Sequence, residues 1–220
     1  MRSTPPPDRV HNDQEPRTAT ELPTYSQESP SETWRVFIAI ELPPNIRTRI
    51  AEHIERLRAS IPEARASWGR EENLHLTLKF LGDIPVTNIE KLSAAASTAS
   101  SKVAPFEIVV EGCGSFPPSG QPRVLWIGID DPSGQLSELN RALEDECANA
   151  AFARESRAFH PHLTIARMRQ PHSSRQMAAM HKEIGFNREA ISVSELVVIR
   201  SELRNEGSKH TVISRHELGQ

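Results

Sequence analysis

The sequence predicts an α+β protein in which strands and helices alternate, and two observations carry that prediction. Apolar residues recur every second position in some segments and every third or fourth in others, the signatures of strand and helix. One four-residue pattern also occurs twice, as His75-Leu76-Thr77-Leu78 and His162-Leu163-Thr164-Ile165. The order of elements permits two α+β lobes, each contributing one copy.

Residues 34 to 42 read as a strand ended by Pro43-Pro44, and 45 to 60 as an amphipathic helix with Ile46, Ile50, Ile54 and Leu57 at helical spacing. The first motif strand spans about 73 to 81, and a helix near 86 to 101 follows. Strands are expected near 105 to 111 and 122 to 130, separated by the turn-rich segment Gly112 to Gln121. Helix 133 to 151 places Leu136, Leu139, Leu143 and Cys147 on one face, as packing on a sheet requires. The second motif strand occupies about 161 to 167, and a weaker helix covers 173 to 183. Ile191 to Ile199 reads as one strand, with Thr211 to Leu218 as its hairpin partner across Asn205-Glu206-Gly207.

Within a motif strand, residues i and i+2 project together. His75 therefore shares a face with Thr77, and His162 with Thr164, while Leu74, Leu76 and Leu78, or Pro161, Leu163 and Ile165, take the opposite face. Proline suits the start of a strand. Nine histidines in this chain would produce about 0.06 copies of this pattern by chance once an apolar residue is required after each His and Thr, so a chance pair is not expected. A single copy reads as an edge-strand histidine bonded to a neighbour; the doublet points instead to two proton-transfer groups with two hydroxyl donors.

Composition is that of a water-soluble globular chain, with 37% apolar and 25% charged residues in 220. No apolar run approaches the roughly 18 residues that cross a bilayer, and Met1 to Pro7 lacks the apolar core of a secretory signal, so a cytoplasmic location without membrane attachment is expected. Cys113 and Cys147 have neither metal-ligand nor redox-motif spacing and read as buried or incidental thiols. Residues 1–33 contain six prolines and no Phe or Trp and read as a disordered tail; residues 34–220 read as one domain. The tail holds three arginines and six acids, so 26 − 3 basic and 29 − 6 acidic side chains leave the remainder formally neutral. Neutrality argues against a broad electrostatic footprint on long nucleic acid. A short RNA end or a nucleotide needs only one or two placed cations.

Beyond the tetrapeptides, four segments resemble one family in order: RVFIAIELP from Arg35 to Pro43, NLHLTLKFLG from Asn73 to Gly82, RVLWIG from Arg123 to Gly128, and FHPHLTIAR from Phe159 to Arg167. The chain resembles the two-histidine phosphoesterases, specifically the bacterial and archaeal RNA 2′,3′-cyclic phosphodiesterases formerly described as 2′-5′ RNA ligases, from about Trp34 to near the C-terminus. The resemblance implies two pseudo-symmetric lobes, each an antiparallel sheet with helices on its outer face, lining a central cleft. It also implies hydrolysis of 2′,3′-cyclic phosphate ends of RNA or nucleotides, without metal or cofactor, to the 2′-phosphate. His75 would protonate the departing 3′-oxygen, His162 would activate water, and Thr77 and Thr164 would hydrogen-bond the non-bridging oxygens. No protein partner is implied, and a monomer is expected.

Arg167 stands where the family also has an arginine and can hold a phosphate oxygen, or equally form a surface ion pair. Phe80 and Phe37 can line a base-stacking wall or pack in the core. The family often has a tyrosine where His210 or Thr211 stands, which removes any contact that tyrosine makes. His160 and His162 could share a metal, but no third ligand is evident in the sequence, so none is assigned. Two other functions remain open from sequence: a non-catalytic RNA-end or nucleotide-binding module, and another reaction of the same constellation, such as 2′-5′ phosphodiester hydrolysis or ligation.

Overall fold

A β-strand buried on both faces must be built from consecutive apolar residues, whereas one exposed on a face alternates. Both patterns occur in this chain, and the computed structural model uses them to build two sheets. It describes residues 32–170, 173–205 and 207–219 together with Met1. The expected tail therefore lies outside the described residues except for Met1, Glu32 and Thr33, as does Glu206 in the expected turn.

The order is β1 (Thr33–Glu41), α1 (Pro44–Ser60), β2 (Ala66–Trp68), β3 (His75–Pro85), α2 (Ile89–Ser100), β4 (Phe106–Phe116) and β5 (Val124–Asp130), then α3 (Gln135–Asn149), β6 (His162–Met168), α4 (Ser174–Ile184), β7 (Glu189–Val193), β8 (Glu195–Arg204) and β9 (Gly207–Glu217). One sheet has the order β3-β1-β8-β9 and the other β2-β6-β5-β4-β7. Neighbouring strands pair antiparallel throughout both. The fold is α+β, and each sheet carries one motif strand, β3 in the first and β6 in the second.

Two expectations need correction, and one strand has no counterpart among the expected elements. Residues 191 to 199 are not one strand: the chain breaks at the exposed Ser194, leaving β7 on the edge of the second sheet and β8 inside the first. The residues carry the reason. Ile191 and Val193 alternate with exposed neighbours, while Leu196 to Ile199 are continuously buried at 0–3% exposure, between β1 and β9. Secondly, the segment from Gly112 is not all turn, because β4 continues to Phe116 through a bulge at Gly112, whose φ of +74° suits glycine. Finally, Ala66–Trp68 pairs with β6 as a three-residue strand too short to read from periodicity.

The main core is continuous through both sheets and their helices. Ile46, Ile50, Ile54 and Leu57 of α1 and Leu136, Leu139, Leu143 and Cys147 of α3 are all essentially buried, as their spacing predicts. Each such aliphatic side chain contributes about 1.5–3 kcal/mol. A smaller cluster, Phe37, Ala39, Val197 and Ile199 with Val212, covers the opposite face of the first sheet.

Candidate active site

The two motif strands repeat more than a tetrapeptide. In β3, Leu76, Leu78 and Lys79 are buried, His75 and Thr77 half-buried and Phe80 exposed; in β6, Leu163, Ile165 and Ala166 are buried, His162 and Thr164 half-buried and Arg167 exposed. Both strands carry a register shift at this point. Ala39 opposes Thr77 and Ile38 opposes Lys79, leaving Leu78 extra; Trp126 opposes Thr164 and Leu125 opposes Ala166, leaving Ile165 extra. A bulge places two consecutive residues toward one face and returns the next to the other. Phe80 and Arg167, each five residues after a motif histidine, thereby rejoin the histidine face. Sequence alternation alone would have put Arg167 with Leu163 and Ile165.

Each bulge leaves a carbonyl without a ladder partner, and each is satisfied from outside its pair. Asn140 Nδ2 donates to the Leu78 carbonyl at 2.9 Å, and the Gly69 N–H donates to the Ile165 carbonyl at 2.8 Å. Lys79, turned inward by the first bulge, donates to both Glu144 oxygens at 2.8 and 2.7 Å and to the Ala153 carbonyl at 2.9 Å.

The same local symmetry governs the histidine rings. His75 Nδ1 lies 2.7 Å from the Asn73 carbonyl, and His162 Nδ1 lies 2.6 Å from the His160 carbonyl. A carbonyl only accepts, so Nδ1 carries the proton in both rings and Nε2 keeps its lone pair. Asn73 is itself held by its Nδ2 donating to the Ser208 carbonyl at 2.8 Å. His160 thus contributes its backbone carbonyl. Among the described residues neither Thr77 nor Thr164 has a hydrogen-bond partner for its hydroxyl.

Aromatic rings border both histidines. Phe37, 3% exposed, stacks on His75 with centroids 4.6 Å apart, so it supports that ring from the core side and offers no open face to a base. Phe80 is 56% exposed, 5.9 Å from Phe37, and does offer one. His210 of β9 sets its edge against both His75 (5.2 Å) and Phe37 (5.1 Å). Phe116 meets His162 edge-on at 5.1 Å, with Trp126 behind at 6.4 Å. Phe116 and Trp126 have no sequence signal for this role, because strand pairing across the bulge at Gly112 sets where they point.

Burial pushes the His75 imidazolium down to about 4, helped by the neighbouring His210 and opposed by the Asn73 carbonyl. His162 is lowered by burial, against the His160 carbonyl that favours its charged form and with Arg167 and His160 adding to the lowering. Both rings are therefore neutral near pH 7. Arg167 stands on the same face of β6 as His162. β3 and β6 approach within 8 Å, Cα to Cα, although they belong to different sheets. Among the described residues no helix is long and apolar enough to cross a membrane.

Comparison with known proteins identifies one family. The 2′-5′ RNA ligase superfamily matches residues 46–205. The chain is 31% identical over 178 residues to the RNA 2′,3′-cyclic phosphodiesterase of Methanothermobacter thermautotrophicus, covering 80% of this chain and 95% of that one. It is also 31% identical over 183 residues to the RNA 2′,3′-cyclic phosphodiesterase of Geobacillus stearothermophilus, covering 83% of this chain but only 57% of that relative's length. The crystal structure of Escherichia coli LigT complexed with 3′-AMP superposes with a TM-score of 0.66 at 28% identity, over 86% of this chain and 100% of that one.

Proposed function

The chain belongs to the 2′-5′ RNA ligase superfamily, and from that membership we propose that it hydrolyses 2′,3′-cyclic phosphate ends of RNA or nucleotides to the 2′-phosphate. The reading takes residues 34–220 as the catalytic unit and needs no metal ion or cofactor. His162 Nε2 takes a proton from water, whose oxygen bonds to phosphorus. The bond from phosphorus to the 3′-oxygen breaks, and His75 Nε2–H protonates that oxygen. Thr77 and Thr164 donate to the non-bridging oxygens as their charge grows. Arg167 adds a permanent charge on the His162 side, and Phe80 gives the terminal base a ring to stack on.

The observation that carries this reading is the duplicated tautomer lock, in which Nδ1 of each motif histidine donates to the carbonyl two residues before it. An acid and a base that differ only in the proton on Nε2 are what a hydrolysis with two opposed proton transfers requires, each worth roughly 10² to 10⁴ in rate. The depressed affinity for protons is compatible with an acid role. An anionic phosphodiester arriving beside the rings favours an imidazolium, so substrate binding brings in the proton that the free chain lacks.

The test is a short RNA ending in a 2′,3′-cyclic phosphate, incubated with purified chain in excess chelator and followed by phosphorus NMR. A 2′-monoester is expected. A 3′-monoester would reverse the geometry assigned to His75 and His162, activity only after metal is restored would replace the mechanism, and no turnover would favour a binding module.

A further inference from the structure

Behind the second sheet, away from the motif face, three side chains from separate elements meet. His53 of α1, His181 of α4 and Cys113 of β4 each offer a ligand atom within 4.8 Å of the other two. His53 and His181 are fully buried, and Cys113 is half-buried. Cys113 reaches this side because Gly112 is an extra residue in β4: Glu111 opposes Gly128, and Cys113 then opposes the core residue Ile127. Residues directly opposite one another in an antiparallel pair share a face.

The hydrogen bonds fix the tautomers. His181 Nε2 lies 2.9 Å from the Trp126 carbonyl, so it is the protonated nitrogen and Nδ1 keeps its lone pair. That lone pair faces His53 Nε2 at 2.9 Å, so His53 donates from Nε2. Its Nδ1 is then a bare acceptor, buried and without a partner. A metal-binding histidine characteristically donates its second nitrogen to a backbone carbonyl, as His181 does.

We propose that His53, His181 and Cys113 form a binding site for a zinc-class transition-metal ion that ties α1 and α4 to the second sheet. Two imidazole nitrogens at about 2.0–2.1 Å and one thiolate at about 2.3 Å are a usual three-ligand set with a fourth position left for water. Tetrahedral angles at those lengths put the nitrogens about 3.3 Å apart, so the pair at 2.9 Å opens by only a few tenths of an ångström to admit the ion. On binding, the Cys113 thiol releases its proton to solvent as the sulfur–metal bond forms. The His53 proton moves from Nε2 to the unpartnered Nδ1, which keeps that ring neutral. Without metal, burial holds the Cys113 thiol protonated, up to about 11, so the thiol alone is unreactive. Cys113 is the least buried of the three, so the ion enters past its sulfur.

The test uses the full chain, stripped with chelator and titrated with Co(II). One equivalent is expected to give a thiolate-to-cobalt charge-transfer band in the near ultraviolet with tetrahedral d–d bands, and Zn(II) should displace both and raise the melting temperature by a few degrees. Cys113→Ala should abolish the charge-transfer band and the thermal shift while its circular dichroism stays that of the parent; Cys113→Ser serves if alanine does not fold. No charge-transfer band in the folded parent overturns the proposal. So does an undiminished band in Cys113→Ala, which would implicate Cys147, and so do d–d bands without charge transfer, which would place the ion on other histidines.

Discussion

Replacing His210 by glutamine should move one limb of the pH profile and leave the other in place. On the proposed mechanism, kcat/KM of the free chain requires one motif histidine protonated and the other neutral, so activity should fall below the lower value and above the higher one. His75 is held at about 4 and His162 below its usual 6.5, which puts the maximum on the acid side of neutrality. His210 contributes to the lowering at His75 and does not figure in that at His162. Their ring centroids are 5.2 Å apart. Two unit charges at that distance repel by about 0.8 kcal/mol in a water-like medium and about 3 kcal/mol at an effective dielectric constant near 20. At 1.36 kcal/mol per unit this spans about 0.6 to 2.3 pH units. His75 and His210 are both only half-buried, so solvent screens the repulsion and the lower half of the range applies. His210→Gln keeps a polar side chain without the charge, and its acidic limb should rise by about one unit, from near 4 to near 5, with the alkaline limb fixed. The assay is kcat/KM on a cyclic-phosphate-ended dinucleotide from about pH 3.5 to about pH 8. Loss of a substrate contact would scale the whole curve without moving it. An unmoved acidic limb would therefore refute the charge coupling, and a parent maximum at or above pH 7 would refute the lowered pair.

His75→Ala and His162→Ala should each lower turnover by roughly 10² to 10⁴ with an unchanged melting temperature, whereas Thr77→Val or Thr164→Val should cost about 10- to 100-fold, the worth of one hydrogen bond to a charged group; near-normal turnover in either alanine variant would remove the paired mechanism. Glu144→Gln leaves the Lys79 ammonium, whose side chain is 1% exposed, without its counter-charge, and should destabilise the fold by about 3–5 kcal/mol in urea titration. Stability should fall as pH drops from about 6.5 toward 4, because His53 and His75 are held near 4 and His162, His181, His210 and His216 are also lowered; the unfolded chain, with histidines near 6.5, then binds protons the native chain does not. A urea midpoint unchanged between about pH 7 and about pH 5 would contradict this. Gly114→Ala would drive a Cβ into the Trp126 ring, and since that ring backs His162, turnover should drop more than the melting temperature does.

The sequence by itself determined whatever depends on spacing within one element. The faces of β3 and β6, the buried stripes of α1 and α3, and the grouping of His75 with Thr77 and His162 with Thr164 follow from periods of two and 3.6, which each element imposes on its own residues. The tertiary structure decided what depends on partners. Whether Arg167 joins the histidines or the core turns on one extra residue, Ile165, and that residue is extra only relative to β5. The same holds for Phe116 and for Cys113, whose faces are set by the pairing of β4 with β5 around Gly112. His210 meets His75 because β9 joins the first sheet through β8, and the break at Ser194 that sends β8 there divides a segment, 191 to 199, that reads as one strand in the sequence. Local sterics write a period into the chain; register and strand order come from long-range pairing and burial, which no local window contains.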